Sequence, residues 1–134
     1  MTWTDIDLPS SMKAIPILKV SSFELSDQFY TKLGFTRMFV YRPDPSLDDP
    51  AYAGYEMDDA ILHISSHSGD SNFGTAVFFQ CDGVERLYKR IESDLADSIT
   101  LVPTEQTWGN REMYLQDPDG NSLRFCETIA KADS

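Results

Sequence analysis

One stretch near the C-terminus constrains the chain more than any other: QTWGNREMYLQDPDGNSLRFCE, Gln106 to Glu127. From Arg111 to Gln116 large apolar and polar residues alternate, with Met113 and Leu115 on one face and Glu112, Tyr114 and Gln116 on the other. That period of two predicts a half-buried strand. Asp117-Pro118-Asp119-Gly120 stops it, because Pro118 fixes φ and lacks an amide donor, Asp119 tolerates turn geometry and Gly120 can take positive φ. Leu123 to Glu127 is then the returning strand of a hairpin. Trp108, in the loop ahead of the first strand, is either a lid over the core or a platform for a flat ligand.

The rest of the chain reads as one repeated order. Met1 to Ser11 is a polar lead-in in which Trp3 has no evident partner, and Met12 to Val20 is a strand interrupted by Pro16. A proline there argues for an edge, a bulge or a crossing point. Ser21 to Lys32 is a helix capped by Ser21 or Ser22, with Phe23, Leu25, Phe29 and Leu33 as its apolar stripe and Gly34 as its stop. Strands follow at Phe35–Arg42, Ala51–Met57 and Ala60–Ser66, with an exposed acidic loop at Asp44–Asp49 and a turn at Asp58-Asp59. After the polar linker His67–Asn72, the second half opens with a strand, Phe73–Cys81. A helix carrying Val84, Leu87, Tyr88, Ile91 and Leu95 comes next, then strands near Leu101–Thr104, Arg111–Gln116 and Leu123–Glu127. Tyr30 and Tyr88 fall at equivalent points of the two helices, and Thr128 to Ser134 is a frayed tail. The prediction is one α+β domain of two βαβββ repeats, about 12–66 and 73–127.

Composition narrows the function. A hydrophobic content of 41% over 134 residues is enough for a real core. No apolar run approaches a membrane span and the N-terminus has no secretory pattern. Cys81 and Cys126 lack metal or disulfide spacing and read as thiols in a reducing cytoplasm. A net charge of −11 opposes nucleic acid and anionic membrane and favours cationic ligands.

The stretch WGNREMYLQDPDGNSLRF resembles the C-terminal signature of the vicinal oxygen chelate superfamily (glyoxalase, bleomycin resistance protein and dioxygenase), and its spacing is most similar to the bleomycin-resistance branch. Ile15-Pro16-Ile17-Leu18, Phe29-Tyr30 with Leu33-Gly34-Phe35, Ala60 to Ser65 and Val84-x-x-Leu87-Tyr88 fit in the same order, so the resemblance covers roughly Ala14 to Glu127. It implies a half-open curved mixed sheet. It also implies a homodimer that exchanges its N-terminal strand at a proline, here Pro16.

In the enzymes of that superfamily a divalent metal sits on the concave sheet. Carried over by position, its ligands would be Ile15, Ile61, Thr75 and Arg124. Two are aliphatic, one is a poor ligand and one a permanent cation, so no metal and no cofactor are expected. His63 has three readings: a half-buried histidine facing the cavity, a ligand contact or a metal ligand. In the bleomycin-resistance branch aromatics stack on flat rings and acids receive a cationic tail. The matching aromatics are Phe39, Tyr52 and Trp108, with Tyr55 and Phe79 nearby, and Ser65 and Glu112 are candidate polar contacts. Against this, Phe39, Tyr55 and Phe79 could be plain core. Arg124, pointing into the cavity, would oppose a cation or hold a carboxylate or carbonyl. The reading is a metal-free protein that sequesters a bleomycin-type glycopeptide or similar planar cation. The alternative is a metal-dependent lyase, isomerase or dioxygenase with atypical ligands.

Overall fold

A computed structural model describes residues 8–129. The expectations for Trp3, for the first part of the lead-in and for the end of the tail lie outside them. Two units follow each other: β1 (Ile17–Lys19), α1 (Phe23–Leu33), β2 (Thr36–Tyr41), β3 (Tyr52–Met57) and β4 (Ala60–Ser65), then β5 (Ala76–Gln80), α2 (Val84–Ile91), β6 (Ile99–Glu105), β7 (Asn110–Gln116) and β8 (Ser122–Thr128). Each unit forms a four-stranded mixed sheet, ordered β1-β4-β3-β2 and β5-β8-β7-β6. The first strand of each pairs in parallel with the last, and the other pairings are antiparallel. The two βαβββ repeats are therefore present. No helix among the described residues is long and apolar enough to cross a membrane.

The first strand is shorter than expected. Pro16 has no amide to donate, and pairing starts one residue later, although its carbonyl accepts from His63 N at 2.9 Å. On α1, Phe23, Ser26, Phe29, Tyr30 and Leu33 are buried, while Leu25 is 56% exposed. Leu25 lies two residues, about 200°, from Phe23, so it cannot share that face. Ser22 caps the helix, accepting from Leu25 N, and Asp49 of the acidic loop accepts from Phe23 N. Glu127 plays the same part for α2, accepting from Gly83 N and Val84 N.

The helices cover one face of each sheet, and the core between is shared by both units. Phe79 stacks on Phe125 at 4.7 Å and meets Phe35 of the first unit at 5.9 Å. The Asp117–Asn121 turn joins the units more firmly. Asp117 is buried and its carboxylate accepts from Tyr30 Oη, Asn121 Nδ2, Asp119 N and Asn121 N, all at 2.8–2.9 Å. Asn121 also donates to Lys19 O and accepts from Thr75 N, and Asp119 accepts from Ser21 N. Gly120, at φ 84°, lets the chain reverse tightly enough to make these bonds. The strongest motif of the sequence is thus a joint between α1, β1 and the second sheet. Tyr30 is fully buried in it, whereas its counterpart Tyr88 lies at the core's margin.

Candidate functional site

Each sheet turns one face away from its helix, and those two faces carry the candidate site. On the first, Phe39, Gly54 and His63 share one row, and Tyr41, Tyr52 and Ser65 the next. A bulge between Arg37 and Phe39 sets this register. It leaves Arg37 on the helix side, paired with Asp27 at 3.3 Å, and turns Phe39 to the open side. Phe39 and Tyr52 lie nearly parallel, centroids 6.3 Å apart, and His63 meets both edge-on at 5.4 and 5.2 Å. Tyr52 Oη and His63 Nδ1 are 2.7 Å apart. Loss of solvent lowers the His63 pKa, so the imidazole is neutral at pH 7. A neutral imidazole carries one N–H, so the role Nδ1 takes toward Tyr52 fixes the role left to Nε2.

Gly54 makes the cluster possible. A Cβ there would lie 2.3 Å from Phe39 Cε1. Gly54→Ala is expected to swing Phe39 off the Tyr52–His63 pair. Because Phe39 is 43% exposed, the stability cost should stay near or below about 1 kcal/mol. A shift of the His63 ring-proton resonances with a nearly unchanged melting temperature is the expected signature. Unchanged resonances would mean that Phe39 is not held there.

On the second sheet, Phe78, Arg124 and Tyr114 form one row and Gln80, Cys126 and Glu112 the next. Glu112 is only 4% exposed and accepts from Trp108 Nε1 at 2.9 Å, from Asn110 Nδ2 at 3.0 Å and from the Tyr114 hydroxyl. Burial pushes its pKa up, but the bonds from Tyr114, Trp108 and Asn110 outweigh it and hold the carboxyl below its usual range. Burial and the neighbouring Glu112 charge push the Cys126 thiol up to about 12, far from a reactive thiolate. Trp108 is 58% exposed, with its indole nitrogen tied down and its ring presented to solvent.

Of the sequence candidates, Phe39, Tyr52 and His63 come together on the first open face, and Trp108, Glu112 and Arg124 on the second. Three others do not belong. Tyr55 is fully buried on the helix side and donates to Asp27 at 2.6 Å, because three residues along a strand separate it from Tyr52 and odd spacings change face. Phe79 is core, and the exposed ring on β5 is its neighbour Phe78 at 59%. Ser65 is fully buried, donating to Asp70 at 2.6 Å and accepting from His67 N, so its hydroxyl is spent internally. Glu112 is also not the open cation partner expected, since its donors leave little room for one. Asp49 of the acidic loop is occupied in capping α1 and accepting from Ser66. Phe78 was legible only as one of two adjacent phenylalanines, of which one had to face out.

A cavity of about 1060 Å³ lies between the two units, beside β5. Pro16, Ile61 and Asp58 line it from the first unit, and Phe78, Gln80 and Glu127 from the second. β1 pairs only with His63–Ser65, which leaves the start of β4 without that neighbour, and β5 pairs on one side alone.

A family model described as "Glyoxalase superfamily protein" matches residues 3–132. The chain belongs to the glyoxalase superfamily. Among solved structures, this glyoxalase superfamily chain is similar to a bleomycin-binding protein complexed with bleomycin, at 24% identity and TM-score 0.66, covering 88% of this chain and 99% of that one. It is similar to a bleomycin resistance determinant encoded on the transposon Tn5, at 24% identity and TM-score 0.69, covering 90% and 100%. It is also similar to TioX from Micromonospora sp. ML1, at 12% identity and TM-score 0.71, covering 88% and 100%. At these identities the likeness establishes the fold alone. No curated protein matches the chain significantly by sequence.

The residues do not fit the metal of the superfamily's enzymes. Ile61 offers no donor atom, Arg124 is a fixed cation stacked on Tyr114, and Thr75 precedes β5. No three His, Cys, Asp or Glu converge among the described residues.

Glu112 and His63 make the fold acid-sensitive, and Glu127, held low by the Gly83 and Val84 amides, acts in the same direction as Glu112. Glu112 has a lowered folded-state pKa, so its contribution is full above the ordinary 4.5 and is lost as pH falls through the lower folded value. His63 resists protonation in the folded chain, so its contribution is full above 6.5 and is lost as pH falls below it. Urea midpoints should be level above about pH 7 and fall in two steps on acidification. His63→Gln should remove the upper step, and a variant that keeps it would show that the step has another origin.

Proposed function

We propose that this chain is a metal-free binding protein that sequesters a planar small molecule of the bleomycin type, without catalysing its conversion. The observation that carries this reading is the pair of open aromatic faces, Phe39–Tyr52–His63 on one sheet and Trp108 with Phe78 on the other. Exposed aromatics backed by a rigid sheet present stacking surfaces at little entropic cost. The shared fold of the bleomycin-binding and bleomycin-resistance structures supports it, as does a net charge of −11, which steers cations inward. The reading includes a cytoplasmic homodimer that exchanges its first strand at Pro16. The gap beside the start of β4 and the open edge of β5 offers backbone partners to such a strand.

Calorimetry with metal-free and copper-loaded bleomycin tests it. Saturable heat that weakens with salt is expected. No heat at about 100 µM, a level that detects affinities of roughly 5.5 kcal/mol, would remove the sequestration reading. Near-stoichiometric metal in protein purified without chelator would replace it with a metalloenzyme.

A further inference from the structure

Arg124 stands on the open face of the second sheet without a charge partner. Its guanidinium carbon lies 4.8 Å from the centroid of Tyr114, and among the described residues it makes neither an ion pair nor a hydrogen bond. One carboxylate stands one row away: Tyr114, whose ring Arg124 covers, donates its hydroxyl to Glu112. Trp108 and Asn110 occupy the other carboxylate oxygen. Glu112 thus spends its oxygens on Trp108, Asn110 and Tyr114 and makes no ion pair with Arg124. Phe78 flanks Arg124 on the other side, 59% exposed.

From this geometry we infer that the second sheet takes the acidic end of its ligand: a planar aromatic carboxylate whose ring lies on Phe78 and Trp108 and whose carboxylate meets the Arg124 fork. A planar guanidinium stacked on an aromatic keeps its N–H edge free for two parallel bonds to a carboxylate. Its charge is always present. The inference rests on the reading of these faces as a binding site for planar molecules and assigns the polarity of one of them. A ligand with a cationic end then lies with that end away from the second sheet.

Two probes with one ring system test it on the full chain: 2-naphthoate and 2-naphthylmethylammonium, each titrated calorimetrically into wild type, Arg124→Gln and Arg124→Lys, with bleomycin as a third ligand. Naphthoate should bind about 10- to 100-fold more tightly than the ammonium probe, the range for a charge-assisted bidentate contact. Arg124→Gln should lose that preference, and Arg124→Lys should recover only part of it, since an ammonium lacks the fork. Arg124 is exposed and unbonded, so both variants should melt like wild type. Equal binding of the two probes, an unaltered Arg124→Gln, or no binding of naphthoate to about 1 mM overturns the assignment. If bleomycin still binds in those cases, the polarity alone falls and the sequestration reading stands. If Arg124→Gln shifts sedimentation toward monomer while leaving probe affinity unchanged, Arg124 belongs to a subunit contact and the assignment is likewise overturned.

Discussion

Asp117→Ala should destabilise the fold by about 3–5 kcal/mol, the cost of leaving buried donors unpaired. Four donors converge on that carboxylate, and Tyr30 Oη, fully buried, has no other recorded partner. Each orphaned buried donor costs about 1–3 kcal/mol, which against a typical total of about 5–15 kcal/mol leaves the chain near unfolding. Tyr30→Phe removes the hydroxyl from the same contact and leaves Asp117 three donors, so it should cost only about 1 kcal/mol. Urea unfolding of both variants measures the difference. Equal losses, or a loss below about 1 kcal/mol for Asp117→Ala, would mean that the turn is held by its own geometry and not by the carboxylate.

Trp108→Ala should cost about 1–3 kcal/mol of ligand binding, the range for removing one stacking surface. That is roughly a 5- to 150-fold loss of affinity. Stability should barely move, since the ring is 58% exposed. Trp108→Phe separates stacking from anchoring. It keeps a ring but loses the Nε1–H to Glu112, so an intermediate affinity is expected. Calorimetry with bleomycin against the three proteins is the measurement. Wild-type affinity in Trp108→Ala would place the stacking surface elsewhere, with Phe39 and Tyr52 as the remaining one.

The order of elements was legible because period-two and helical patterns are written locally: the β7–β8 hairpin, the α1 stop at Gly34 and the repeat of one helix among four strands all follow from neighbouring residues. Which face a residue takes was less legible. The bulge ahead of Phe39 inserts one residue and reverses the alternation, and nothing in Arg37-Met38-Phe39 announces it. For Tyr52 and Tyr55 the signal was present, since a spacing of three excludes a shared face, and the same holds for Leu25 against Phe23. Phe78 and Phe79 cannot be told apart by hydrophobicity. The uses of Ser65, Glu112 and Glu127 depend on partners brought in by the fold, Asp70, Tyr114 and the start of α2 among them. Asp-Pro-Asp-Gly-Asn was read correctly as a turn, but its bonds to Tyr30 and Lys19 reach back 87 and 102 residues, beyond any local pattern.

That reach bears on how separable the two units are. A chain built from two copies of one unit could in principle shed, reorder or trade its halves, as repeat arrays do. Here the second half contributes the acceptor and the first half the donor of a single buried contact, and among the described residues neither half holds a duplicate of it. The two halves are complementary, like lock and bolt. A cut at the His67–Asn72 linker would therefore part the donor from its acceptor.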